Sequence, residues 1–281
     1  MWVWMAVASA VLLGVYDAAK KSALRRNDVY WILIVATGLS ALFVSPFLTW
    51  GKGVWHLQLV LKAVLVGTSW ITGMVALKYL PLTTVTTFKT SRPVFIVLGS
   101  ILIFGECLNW QQLLGMVLVL TALWLLGVSS GKEGFGFKRN KGFWAMVAAV
   151  LSGVASALLD KYILEDMEPL FVQSWTNIYI TLFLVAVLLV HRSRGDSQPF
   201  RWDWTIVLIA VLITAADMLY FFSLKADGAM LSIITLIRRS VSVIITFGIG
   251  ALFFKEKRIA AKAGILALML AGVAVLMFAT A

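Results

Sequence analysis

Lys89, Arg92, Arg238 and Arg239 are basic side chains set inside stretches that are otherwise largely apolar, and the chemistry they offer is anion binding. A guanidinium presents a planar fork of donors that meets a phosphate or carboxylate in two parallel hydrogen bonds, where an ammonium acts as a point charge. Lys89 and Arg92 stand three apart and share one face of a helix. Arg238 and Arg239 are neighbours, about 100° apart around a helix, so both cannot face one ligand squarely. Arg239 is read as the direct contact and Arg238 as its support. Acidic partners are scarce: Asp217 is the one clearly central carboxylate, and Asp17 falls near the end of the first apolar stretch. A buried cation without a partner is strongly unfavourable, so four bases against two carboxylates ask for an anionic ligand. Asp217 is either an ion partner that shapes the empty site or a carrier of a coupling proton. Hydroxyls cluster beside the bases, and Thr90 and Ser232 are the two expected to touch the ligand. Trp70 and Tyr220 either wall the cavity or pack the core.

Other chemistries find little support. One cysteine, Cys107, excludes a disulfide framework and a cysteine metal site. The two histidines, His56 and His191, sit near the ends of apolar stretches in different halves. No nucleophile–base arrangement and no acid-rich motif appears, so neither an enzyme nor a cofactor is expected. The net charge of +11 needs no nucleic acid, because Lys and Arg collect on the cytoplasmic loops of membrane proteins.

The elements that must position these residues are membrane helices. Of 281 residues, 61% are hydrophobic and 13% charged, and the apolar runs approach the ~20 residues that cross a bilayer. Spans are expected at 2–22, 29–50, 57–77, 82–104, 111–128, 142–163, 169–190, 204–224, 229–254 and 259–279. A basic, glycine-bearing connection at 129–141 divides the chain into halves 1–128 and 142–281, five spans each. The segment 2–13 looks like a signal-peptide core, but it runs on into Tyr16 and Asp17 with no small-residue cleavage site, and so reads as the first span.

The halves share landmarks in one order. Leu77-Lys78 parallels Leu224-Lys225, Arg92 parallels Arg239, and Phe104-Gly105-Glu106 parallels Phe254-Lys255-Glu256. An odd number of spans per copy sets the two copies in opposite orientations, the inverted-repeat plan of carriers with a site at the repeat interface. Glu106 and Glu256, at span ends in short loops, read as helix-end or gate salt-bridge partners rather than ligands.

With Leu77-Lys78-Tyr79-Leu80, Arg92-Pro93-Val94-Phe95, Phe104-Gly105-Glu106 and Gln112-Leu113-Leu114-Gly115 in sequence, the chain resembles the EamA-type transporters of the drug/metabolite transporter superfamily. The resemblance implies an all-α membrane protein of ten helices in two inverted five-helix repeats, multi-pass in a bacterial inner membrane. It also implies a small-molecule substrate and alternating access. The charges are similar to those of plastid triose-phosphate translocators, which carry a Lys four residues before a Pro in the fourth span and a Lys-Arg pair in the ninth. Here Lys89 precedes Pro93 by four and Arg238-Arg239 takes the place of the pair. The translocators' acidic residue before the proline is replaced by Arg92, so an anion is implied and triose phosphate itself is not. The expected function is transport of a phosphorylated or carboxylated metabolite, by exchange or with a coupling proton. The alternative is export of amino acids or other zwitterionic or neutral metabolites, an arginine holding the carboxylate and Asp217 the amine. Basic residues concentrate in the odd-numbered loops, which puts those loops in the cytoplasm and both termini outside; the resemblance implies the reverse.

Overall fold

A computed structural model describes residues 1–23, 27, 29–79, 82–130, 141–192, 200–253 and 259–280. Among them the chain forms ten α-helices and no strand. They are α1 Trp2–Ala23, α2 Val29–Val44, α3 Gly53–Tyr79, α4 Leu82–Phe104, α5 Trp110–Ser130, α6 Lys141–Asp166, α7 Pro169–Arg192, α8 Trp204–Lys225, α9 Leu231–Phe253 and α10 Ile259–Phe278. Helices are what such a sequence must form in lipid, where every backbone donor and acceptor needs a partner within its own segment. Seven of the ten are long and apolar enough to cross a membrane; the apolar described parts of α4, α5 and α10 are shorter. Large apolar side chains such as Leu102, Ile103, Trp110, Leu189 and Phe278 point outward, as a surface solvated by lipid requires.

The two largest departures from the expected spans are at the end of α2 and the start of α3. The second helix stops at Val44, and Ser45–Phe47 form a 3-10 turn with proline in its first positions. Pro46 cannot donate a backbone hydrogen bond, so it suits a turn's first positions and not a helix interior. The third helix begins at Gly53, four residues earlier than expected.

Hydrogen bonds between helix ends show how the bundle is ordered. Ser223 donates to the Trp2 carbonyl (2.9 Å), Lys225 to that of Glu165 (3.1 Å), Trp175 to that of Thr49 (2.9 Å) and Gln112 to that of Ala279 (3.4 Å). The starts of odd-numbered helices and the ends of even-numbered ones therefore gather at one end, called here the termini end. Asn27 accepts from the Arg201 amide at the opposite end (2.8 Å).

α3 packs on α6 as α8 packs on α1; α4 meets α6 as α9 meets α1; α7 meets α3 as α2 meets α8; α4 meets α5 as α9 meets α10. The pairs α2–α7, α4–α9 and α5–α10 complete the principal set. Advancing each helix number by five thus turns each of these pairs into another of them or into itself. At the α5–α10 crossing Gly115 and Gly272 let the backbones approach: a Cβ on Gly272 would stand 2.9 Å from Val119 Cγ2 and 3.0 Å from the Val119 nitrogen. Small residues at such crossings let dispersion hold helices together where lipid removes the hydrophobic drive.

Candidate functional site

The polar side chains that face one another inside the bundle come from five helices. Arg238 on α9 donates through Nη2 to Asp217 Oδ1 on α8 at 2.5 Å, and its guanidinium stands 4.3 Å from the centroid of the Tyr220 ring. Tyr220, one turn beyond Asp217, is buried and donates its hydroxyl to Asp160 Oδ2 on α6 at 3.4 Å. Asp160 Oδ1 is ion-paired with Lys62 Nζ on α3, and that ammonium also lies 4.3 Å from the Phe221 ring centroid. Arg92 on α4 donates through Nη2 to the Gly153 carbonyl on α6 at 2.6 Å. It lies within coulombic range of Tyr220, Asp160, Arg238 and Arg239. At 1.5 Å per residue these groups sit about 8 to 18 Å from the termini end of their helices, well inside a ~30 Å hydrocarbon layer.

Four bases thus meet two carboxylates. Lys62 and Arg238 are matched by Asp160 and Asp217, while Arg92 rests on a neutral carbonyl. Arg239 has no carboxylate at ion-pair distance among the described residues, and its Nε is buried without a hydrogen-bond partner, as is that of Arg238. The side chain of Asp217 keeps 31% of its surface exposed, so the Arg238–Asp217 pair borders open space rather than packed core. A charge at the centre of a bilayer costs at least about 2.5–3.5 kcal/mol, and among the described residues this cluster holds two more positive than negative groups. No group of three or more metal-ligating side chains occurs among the described residues.

Of the residues expected from sequence, the structure brings Arg92, Arg238, Arg239, Asp217 and Tyr220 into this cluster. The side chains of Lys89 and Thr90 lie outside the described set, and so does Glu256. Trp70 packs elsewhere, beside Leu33, Ala63, Ile180 and Leu184 between α2, α3 and α7. Ser232 is fully buried, and its hydroxyl is committed to Glu106, about two turns of α9 away from Arg239. The reading of Asp217 as the sole central carboxylate is corrected by Asp160. Sequence did not single out Asp160 or Lys62, because the expected spans set them three and five residues from an end, where a long side chain reaches water. The observed helices extend past both points, and the two residues lie buried and paired.

A helical bundle apolar outside and charged within defines a polytopic membrane protein with a central polar site. The model of the EamA-like transporter family matches residues 1–128 and 140–278, and the chain belongs to that family. Its members are transporters of the drug/metabolite superfamily. A solved structure, titled only as the crystal structure of a protein, aligns with 98% of this chain and 98% of its own at a TM-score of 0.77 and 14% identity. That likeness shows a shared fold. None of the curated proteins compared matches the chain.

Proposed function

We propose that the protein is a secondary transporter that carries a small organic anion, phosphorylated or carboxylated, by alternating access. The observation that carries this reading is Arg239, a guanidinium inside the bundle with no carboxylate at ion-pair distance among the described residues and a buried Nε that has no partner among them. Its counterpart Arg92 hydrogen-bonds a neutral carbonyl and, among the described residues, has no carboxylate at ion-pair distance. An anion held between α4 and α9 would supply what both lack, and two-pronged acceptors suit them best. The helix pairing that maps onto itself on advancing by five supports ten spans arranged as two inverted five-helix repeats, with α4 and α9 facing each other across the axis. In such carriers the halves rock about a fixed central site.

Export of a zwitterion draws its support from the half-open Asp217, which could take an amine once released from Arg238. The two readings separate in a melting experiment on the purified protein. Phosphorylated and carboxylated metabolites should raise the midpoint in proportion to their charge, and Arg239→Ala should remove most of that rise. Stabilisation by amino acids, with none by simple anions, would favour the second reading.

A further inference from the structure

Glu106 lies in the short connection between α4 and α5, outside both helices, yet it is buried. Its carboxylate takes four hydrogen bonds. Oε1 accepts from Lys161 Nζ at 2.7 Å and from the Leu231 amide at 2.6 Å. Oε2 accepts from the Ser232 amide at 3.1 Å and from the Ser232 hydroxyl. Leu231 and Ser232 open α9, and the first amides of a helix have no acceptor within it. The positive end of the helix dipole points at the same carboxylate. Lys161 closes the arrangement, donating also to the Ala229 carbonyl at 3.2 Å and standing 5.2 Å from the Phe104 ring centroid. One side chain of the first half therefore gathers α6 and α9 of the second.

Those two helices also present the central cluster. Ser232 and Arg239 are seven residues apart on α9, so they share a face about 10 Å apart. Lys161 follows Asp160 directly on α6. The clasp at the termini end and the charges at mid-depth thus ride on the same rigid pieces. Neither piece can swing outward at this end while Glu106 holds both.

We infer that Glu106, Lys161 and the first turn of α9 form the latch that closes the central site toward the termini end, and that each transport cycle breaks and re-forms it. This rests on the alternating-access reading above. Charged and amide groups suit such a role: kept dry they bond strongly to one another, and once the end opens water replaces each bond at small net cost. An apolar seam would have no such partner in water. A purely structural cap, by contrast, would stay shut throughout the cycle.

The test uses no substrate and so stands apart from the question of the anion. On a Cys107→Ser background, Thr235→Cys on α9, between Ser232 and Arg239, reports access to the site through labelling by a membrane-impermeant maleimide. Sealed vesicles of both orientations present the termini end in turn. Lys161→Gln, which leaves Glu106 to cap α9 alone, should raise the labelling rate from that end about tenfold. Separately, Glu106→Cys with Ser232→Cys, joined by a short bifunctional thiol reagent before the reporter is exposed, should bring labelling from that end to background, and cleavage of the reagent should restore it. Equal labelling in wild type and Lys161→Gln, together with a joined pair that labels as fast as the cleaved one, would overturn the latch.

Discussion

Arg92 reaches its carbonyl only because α6 carries no side chain at residue 153. A Cβ there would stand 2.8 Å from Arg92 Cζ and 2.9 Å from Ser69 Oγ, and the Ser69 hydroxyl is itself held by the Ala149 carbonyl at 2.7 Å. Gly153→Ala should therefore push the guanidinium off its seat. Both close atoms are ends of flexible side chains, so the fold should tolerate the change, while anion-induced stabilisation should fall, read as a weaker ligand shift of the melting midpoint. If the variant keeps the full ligand shift, Arg92 is not seated by Gly153 in the way the geometry implies. Glu106 offers a second test at this scale. Burial works to raise its carboxyl above the ordinary 4.5, but hydrogen bonds from Lys161 and Ser232, with the Lys161 charge, outweigh burial and hold it below. A depressed carboxyl contributes stability that is complete above its unfolded value and is lost as pH falls through the folded one. Melting should accordingly be insensitive to this group near neutrality and decline below about pH 4.5, more steeply in wild type than in Glu106→Gln. Sequence disclosed Arg92, Arg238, Arg239 and Asp217 because a charge in an apolar run is rare enough to stand out. Gly153 and the Glu106 partners could not be read there, since both depend on which helix lies opposite.

A helix forms in each expected span, and for seven of them the apolar run meets the length that a bilayer sets. Helix ends were less legible in the sequence, as Pro46 and the early start at Gly53 show. Pairing was harder still. A membrane helix is apolar on its lipid face and on its packed face alike, so the pattern that orients a soluble helix toward its core is weak here. The α5–α10 crossing depends instead on absent side chains. Gly272→Val should force Val119 and its backbone apart and destabilise the protein by about 1–3 kcal/mol or more, whereas the same change at Gly264, with nothing within 4 Å, should leave the crossing intact. Thermal melting of the two variants in one detergent checks the contrast, and equal losses would mean that close approach at Gly272 is not what joins these helices.

At the scale of the whole molecule, the proposed repeat draws on ordered sequence landmarks, with Arg92 and Arg239 the most telling, and the helix pairing that maps onto itself on advancing by five is consistent with it. Orientation in the membrane is predicted from charge: the odd-numbered helices end opposite the termini end, the basic residues of the sequence concentrate in the connections that follow them, and that side should be cytoplasmic. A carboxy-terminal alkaline phosphatase fusion should then be active and a fluorescent protein fusion dark, and the opposite pair of results would invert the molecule. The central claim is that a mid-membrane excess of positive charge selects an anion. Counterflow into proteoliposomes loaded with a phosphorylated or carboxylated metabolite measures it most directly. Wild type should accumulate labelled anion. Arg239→Ala should lower the rate at least about tenfold, since hydrogen bonds to charged groups contribute about 1.5–3 kcal/mol each. Arg239→Lys should recover part of it, a point charge replacing the fork. Robust transport of a neutral or cationic solute that survives Arg239→Ala unchanged would contradict the account.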